Sequence, residues 1–291
     1  MNTIQLKAPA KINLGLDVLR KREDNYHEVK MIMQTIDIYD ILTFSETEET
    51  KIQFESNDPG ICSEKDNLVY KAANLLFQKY KPATGVSIHL DKHIPVAAGM
   101  AGGSTDAATT LIGLNQLWEL GLSTKELQKL GVTLGADIPY CIMRGTALSE
   151  GIGEKLTPLP PMPDCFILVA KPPVSVSTKY VYENLHANEL KEHPDVDGIV
   201  EALERNSLSG ICDRLGNVLE TVTLPLHPCI QDLKDLMTAN GALSVLMSGS
   251  GPTVFGIYND QDAVKKSAAL CKKNNSQNRV FISRPVEALQ S

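Results

Sequence analysis

The feature that most constrains this chain is Pro95-Val-Ala-Ala-Gly-Met-Ala-Gly-Gly-Ser-Thr-Asp-Ala-Ala-Thr109. Before it, Gly85-Val-Ser-Ile-His-Leu-Asp91 alternates apolar and polar residues, the pattern of a strand. After it, residues 107–118 read as a helix. Small residues, three glycines, two hydroxyls and a carboxylate thus stand where a strand passes into a helix. A helix N-terminus carries free backbone N–H groups and a partial positive charge, and glycines let a bulky anion approach them. The stretch reads as a phosphate cradle. Taken alone, it also fits a tight glycine turn with Ser104 or Asp106 as the helix N-cap.

No lysine follows the glycines, as a Walker A loop requires. Gly99, Gly102 and Gly103 do not have the dinucleotide-binding spacing G-x-G-x-x-G, and the kinase signatures H-R-D and D-F-G are absent. If the loop holds a nucleoside triphosphate, its cation and catalytic groups come from elsewhere in the chain.

With 291 residues the chain can form one large domain or two ordinary ones. A net charge of −7 argues against general nucleic-acid binding, though not against a local basic pocket for a phosphorylated small molecule. Cys62, Cys141, Cys165, Cys212, Cys229 and Cys271 form no C-x-x-C pair, which argues against a zinc cluster. They read as buried, reduced thiols of a cytoplasmic protein. No N-terminal signal pattern and no apolar run of membrane-spanning length is present, so neither secretion nor a membrane partner is expected.

The first 60 residues read as strands. Residues 4–8 alternate up to Pro9, then Ile12, Leu14, Leu16 and Val18 mark one face of the next strand. Lys11, Asn13, Gly15 and Asp17 share the other face, which reads as solvent-facing. Residues 31–38 and 41–44 are expected as separate strands. Asp66 is the expected N-cap of a helix with Leu68, Val69, Ala72, Leu75 and Leu76 on one stripe. Ser123-Thr-Lys-Glu126 is a capping-box pattern. Asp137 falls in a break before an extended Cys141-Ile-Met-Arg-Gly-Thr-Ala, and by itself reads as a turn or cap residue. The tract Thr157-Pro-Leu-Pro-Pro-Met-Pro163 suits neither helix nor central strand and reads as the junction of two halves. Beyond it come a strand at 165–170, a short helix with Tyr180 and Tyr182, two helices within 196–220 and one opened by Pro228. Strands at 242–247 and 254–258 flank Ser248-Gly-Ser-Gly-Pro-Thr253, read alone as a hairpin turn; a helix from 262 and a strand from 279 follow. An antiparallel sheet with helices is expected there.

Three motifs in order, Ala8-Pro-Ala-Lys-Ile-Asn-Leu14, the loop from Pro95 to Ala108, and Ser248-Gly-Ser-Gly-Pro-Thr253, resemble the GHMP small-molecule kinases over nearly the whole chain. The resemblance implies an α+β, two-domain GHMP kinase fold. Residues 1–160 would form an N-terminal domain with the ribosomal-protein-S5-like domain 2 fold. Residues 161–291 would form a C-terminal domain with a ferredoxin-like antiparallel sheet and helices. Four details resemble those members that phosphorylate a hydroxyl of a cytidyl polyol. They are Lys11-Ile-Asn13, Asn25-Tyr-His27, Gly135-Ala-Asp-Ile-Pro139, and Val174-Ser-Val-Ser-Thr178 followed by Tyr182. One departure stands out: the family's usual Gly-Leu-Gly-Gly-Gly-Ser-Ser reads Gly99-Met-Ala-Gly-Gly-Ser-Thr105, so Ala101 adds a methyl group beside the phosphates.

The resemblance further implies ATP as co-substrate, Mg2+, a small-molecule cytidyl-polyol substrate, and a monomer or weak homodimer. Asp137 would accept the hydroxyl proton, and Lys11 would supply the cation that stabilises the incipient alkoxide. Pro95, Val96, Ala97, Ala98, Gly99, Met100, Ala101, Gly102, Gly103, Ser104 and Thr105 would bind ATP, with Ser104 or Thr105 on the metal. Asn13 and Thr178 would hold the polyol, Tyr26 and Tyr182 would stack on cytosine, and His27 would read its edge. A sister alcohol kinase would keep Lys11, Asp137 and the loop without needing Tyr26 and His27. A non-catalytic nucleotide-binding protein would not need both Lys11 and Asp137.

Overall fold

The computed structural model describes residues 1–61 and 66–288; Cys62 lies outside them. The chain opens with β1 (Thr3–Lys21), β2 (His27–Thr47) and β3 (Ile52–Ser56). There follow α1 (Leu68–Tyr80), β4 (Gly85–Asp91), α2 (Gly102–Leu117), α3 (Thr124–Gly131) and α4 (Ile138–Met143). Next come β5 (Thr146–Gly151), β6 (Lys155–Pro158), β7 (Phe166–Lys171), α5 (Thr178–Asn184), α6 (Val196–Glu204) and α7 (Leu208–Cys212). The last elements are β8 (Gly216–Asn217), α8 (Glu220–Leu226), α9 (Pro228–Ala239), β9 (Ser244–Met247), β10 (Val254–Tyr258), α10 (Gln261–Asn274) and β11 (Arg279–Ser283). The fold is α+β. Among the described residues no helix is long and apolar enough to cross a membrane.

Two compact units alternate along the chain. One consists of Met1–Ala10, Ile38–Val96 and Ala101–Met143, the other of Lys11–Asp37, Ala97–Met100 and Arg144–Ser291. The long strands β1 and β2 supply segments to both. They correct two sequence expectations, because β1 continues through Pro9 and β2 runs unbroken where two strands were expected. The Lys11 N–H leaves the strand ladder to donate to the Met100 carbonyl at 3.2 Å. Pro9, two residues earlier, lacks an N–H on that same side of the strand and so interrupts little.

In the first unit, β4 pairs parallel with β3 and antiparallel with Ile41–Thr47 of β2. Helix α2 packs on α1 and α4. Asn67, not Asp66, caps α1: its Oδ1 accepts the Val69 N–H at 2.7 Å from the position directly before the first helical residue. The capping box at Ser123 and Glu126 forms as expected. A Cβ on Gly113 of α2 would lie 2.6 Å from the buried Phe44 ring of β2, so glycine sets how closely this helix approaches the strand. Gly113→Ala is expected to cost about 1–3 kcal/mol through overpacking, read as a lower Tm by calorimetry. A raised Tm would mean that the ring yields and helix propensity decides.

In the second unit, β9, β10, β7 and β11 form a wholly antiparallel sheet in the order β11-β7-β10-β9, with α9 and α10 packed on it. This is the arrangement expected from the pattern. The proline tract differs slightly from its expectation: Thr157 and Pro158 belong to β6, which pairs only with β5 among the described strands. An outer strand tolerates a missing N–H. The polar face of β1 is the larger correction, because Lys11, Asn13 and Asp17 are all buried. Helix α6 packs against that face at Gly15, where a Cβ would meet Ile199 at 2.9 Å, and His193 bonds to Asp17 at 2.8 Å.

Candidate active site

Helix α2 starts at Gly102, five residues earlier than its apolar pattern suggests. Its N-cap is Ala101, and no side chain caps it, so neither Ser104 nor Asp106 has the expected capping role. The first-turn N–H groups therefore remain for other acceptors. Ala97, Gly99 and Ala101 all have left-handed backbone, with φ of 51°, 70° and 55°. Left-handed residues of this kind occur in the concave runs of backbone N–H groups that bind anions. Two alanines held there cost on the order of 1 kcal/mol each, strain of the kind that clusters at ligand loops. A glycine at 101 would be free of that cost. Along the loop, Pro95, Ala98, Met100 and Thr105 are buried, while Val96, Ala97 and Gly103 are exposed and Gly99, Ala101, Gly102 and Ser104 are half-buried.

Lys11 leaves β1 with its Nζ donating to Asn13 Oδ1 at 2.7 Å and to the Gly99 carbonyl at 3.3 Å. Both acceptors are neutral. The same Gly99 carbonyl accepts the Ser248 hydroxyl at 3.0 Å. A side chain at Gly99 would put its Cβ 2.2 Å from the Ser248 carbonyl oxygen, so only glycine fits. Ser248–Thr253 is a hairpin turn, as read alone, joining β9 to β10. Asn217 fixes it, donating to the Met247 and Gly249 carbonyls at 2.8 Å each. Asn13 is wholly buried and directs its amide to Met31 Sδ.

The turn between β1 and β2 leaves Tyr26 59% exposed, an open aromatic face. His27 does not stand apart from Tyr182: their ring centroids are 5.2 Å apart with planes 41° from parallel. Burial, aided by the charge of Lys21, holds the His27 imidazole below its ordinary pKa. At neutral pH it therefore offers one donor and one acceptor, a pair suited to a base edge. Thr178 begins α5, with its hydroxyl 2.8 Å from that of Ser250.

Asp137 is half-buried and immediately precedes α4. The expected extended segment after it is helical as far as Met143. Pro139 is tolerated in the first helical turn, and Ile138, Tyr140, Cys141 and Ile142 are buried together.

Sequence reading missed a buried ionic cluster beneath α2. Lys92 Nζ donates to Asp106 Oδ2 at 2.7 Å and also to Asp40 Oδ2. Burial raises the Asp106 pKa well above the ordinary carboxylate range, and the charge of Asp40 adds to it despite Lys92. Burial opposes the Lys92 ammonium, but the two carboxylates outweigh it and its pKa is raised. The signal was present at Asp40, which shares the inward parity of β2 with Ile36, Ile38, Leu42 and Phe44.

Among the described residues no group of three His, Cys, Asp or Glu side chains could cage a metal ion. Of the two loop hydroxyls, Thr105 is buried and Ser104 is the accessible one.

Family models described as GHMP kinases N terminal domain and GHMP kinases C terminal match residues 67–145 and 189–276. The chain is 52% identical over 281 residues to a curated 4-diphosphocytidyl-2-C-methyl-D-erythritol kinase of Lachnospira eligens, covering 97% of this chain and 98% of the relative. It is 50% identical over 260 residues to the protein of that name from Bacillus subtilis, covering 89% and 90%. A crystal structure of 4-(cytidine 5'-diphospho)-2C-methyl-D-erythritol kinase matches with a TM-score of 0.83 at 32% identity, covering 97% of this chain and 99% of that one. A homoserine kinase from Cytophaga hutchinsonii shares the fold, with a TM-score of 0.79 at 20% identity over 100% and 96% of the two chains. The chain belongs to the GHMP kinase family.

Proposed function

We propose that this chain is an ATP-dependent kinase that phosphorylates the 2-hydroxyl of 4-diphosphocytidyl-2-C-methyl-D-erythritol in the non-mevalonate route to isoprenoid precursors. The observation that carries the substrate is the 52% identity, over nearly all of both chains, to the curated relative of that name. The γ-phosphoryl group passes from ATP to the 2-oxygen, and ADP leaves. Asp137 takes the hydroxyl proton, and Lys11 stabilises the developing charge on that oxygen. The uncapped amides at the start of α2 hold the triphosphate, the role helix N-termini have in phosphate binding. Magnesium, held by the phosphates and Ser104, would neutralise charge on the transferring group.

On the acceptor side, Asn13 and Thr178 hold the polyol, and Tyr26 and Tyr182 stack on cytosine while His27 reads its edge. What supports the base-binding role is the exposure of Tyr26, which directly precedes His27 in the chain, and the pairing of the His27 ring with Tyr182. Residues 1–160 and 161–291 are taken as the two domains, and the protein as a cytoplasmic monomer or weak homodimer.

The deciding experiment is a coupled assay for ADP release with magnesium, ATP and the cytidyl polyol. Turnover supports the reading; ATP binding without turnover moves it to a sister alcohol kinase; absence of both turnover and ATP binding means that the loop holds no nucleotide. Tyr26→Ala is expected to raise the KM for the cytidyl substrate by about five- to a hundredfold, the worth of one stacked base, with the KM for ATP unchanged. An unchanged cytidyl KM would remove Tyr26 from the base pocket.

A further inference from the structure

Phosphoryl transfer as described makes no use of the cluster of Lys92, Asp40 and Asp106. Their side chains are 6%, 0% and 3% exposed, so all three ionisable groups are removed from water. A buried ionic cluster is a poor source of stability, since apolar residues of the same size often serve as well or better. Nor is the cluster built to attract the triphosphate: its one ammonium is already held by two carboxyl groups. What it offers is fixed position.

The contacts lie at both ends of the phosphate loop. At the entry, Asp40 Oδ1 accepts the backbone N–H groups of His93 and Ile94 at 2.6 and 2.7 Å. At the exit, Asp106 lies in the second turn of α2 and takes the Lys92 ammonium at 2.7 Å. Lys92 also bonds to Asp40, so one buried side chain of β2 ties the residue after β4, the start of the loop and the helix that ends it. The packing leaves little slack: a Cβ at Gly102 would lie 3.0 Å from Lys92 Nζ and 3.1 Å from Ile94.

We propose that Lys92, Asp40 and Asp106 are positioning residues for the nucleotide, clamping both ends of the phosphate loop so that the first amides of α2 are already set for the triphosphate. The inference rests on the kinase reading and adds residues to it. None of the three touches the reacting atoms. Their effect falls on nucleotide affinity, because preorganised amides lose binding strength when their helix can shift.

The test measures ADP binding by calorimetry, KM values for both substrates, and Tm, in the wild type, Lys92→Met and Asp40→Asn. The second variant keeps an oxygen for the His93 and Ile94 N–H groups and removes one of the two carboxylates that hold Lys92. Both variants are expected to bind ADP about ten- to a hundredfold more weakly and to raise the KM for ATP in step, with the KM for the cytidyl substrate within about twofold of wild type. Unchanged ADP affinity with a lowered Tm, equal rises in both KM values, or failure of both variants to fold would each make the cluster a general structural brace and overturn the proposal. Failure of the wild type itself to bind ADP would instead overturn the kinase reading beneath it.

Discussion

Asp137→Asn is expected to lower turnover by about 10²- to 10⁴-fold while ATP affinity stays within about threefold of wild type. The asparagine keeps the shape of the side chain and one acceptor oxygen but cannot take a proton at neutral pH. The position suits this separation of effects. Asp137 is half-buried ahead of α4, and the helix is held by the buried side chains of Ile138, Tyr140, Cys141 and Ile142 rather than by the carboxylate. An alcohol is a weak nucleophile until its proton is shared, so a missing base acts on the chemical step. The checks are steady-state rates in the coupled assay and ATP titration by calorimetry on the same preparation. Loss of ATP binding along with turnover would give Asp137 a role at the nucleotide instead, and a rate within tenfold of wild type would leave the reaction without this base.

Local signals carried well wherever the elements were set by their own residues. The alternation in β4, the capping box of α3, the Pro228 start of α9 and the antiparallel pattern after residue 165 all appear in the structure. Failures occurred where a distant segment decides. Lys11, Asn13 and Asp17 read as a solvated face because what covers them lies far along the chain: the Gly99 carbonyl for Lys11, Met31 for Asn13 and His193 for Asp17. Pro9 read as a strand break, because the diversion of the neighbouring Lys11 N–H to the loop is invisible to periodicity. The start of α2 was placed late because its first residues are small and polar, and because a left-handed alanine is a rare N-cap. At the candidate site, residue types and family order were readable; the sharing of the Gly99 carbonyl between Lys11 and Ser248 was not. The clamp at Asp40 could have been found from one charged residue at an inward strand position.

Lys11→Ala is expected to lower turnover by about 10²- to 10³-fold or more, the usual worth of a preorganised charge at a developing oxyanion. The physical case begins with burial. Lys11 is 5% exposed, and its ammonium rests on two neutral oxygens, those of Asn13 and Gly99. Taking a cation out of water and giving it only neutral partners is costly, and an anion arriving in the reaction offsets that cost. Deleting the side chain also removes a donor from the Gly99 carbonyl, so a loss of activity has two explanations. The structure separates them, because Ser248 still donates to that carbonyl at 3.0 Å. If Lys11 works on charge, the alanine variant keeps ADP affinity within about fivefold and loses the rate. If it is mainly a loop brace, ADP affinity falls as far as the rate does, and Ser248→Ala should then weaken ADP binding similarly. A Lys11→Ala enzyme that turns over within tenfold of wild type would show that the reaction draws its positive charge from another group.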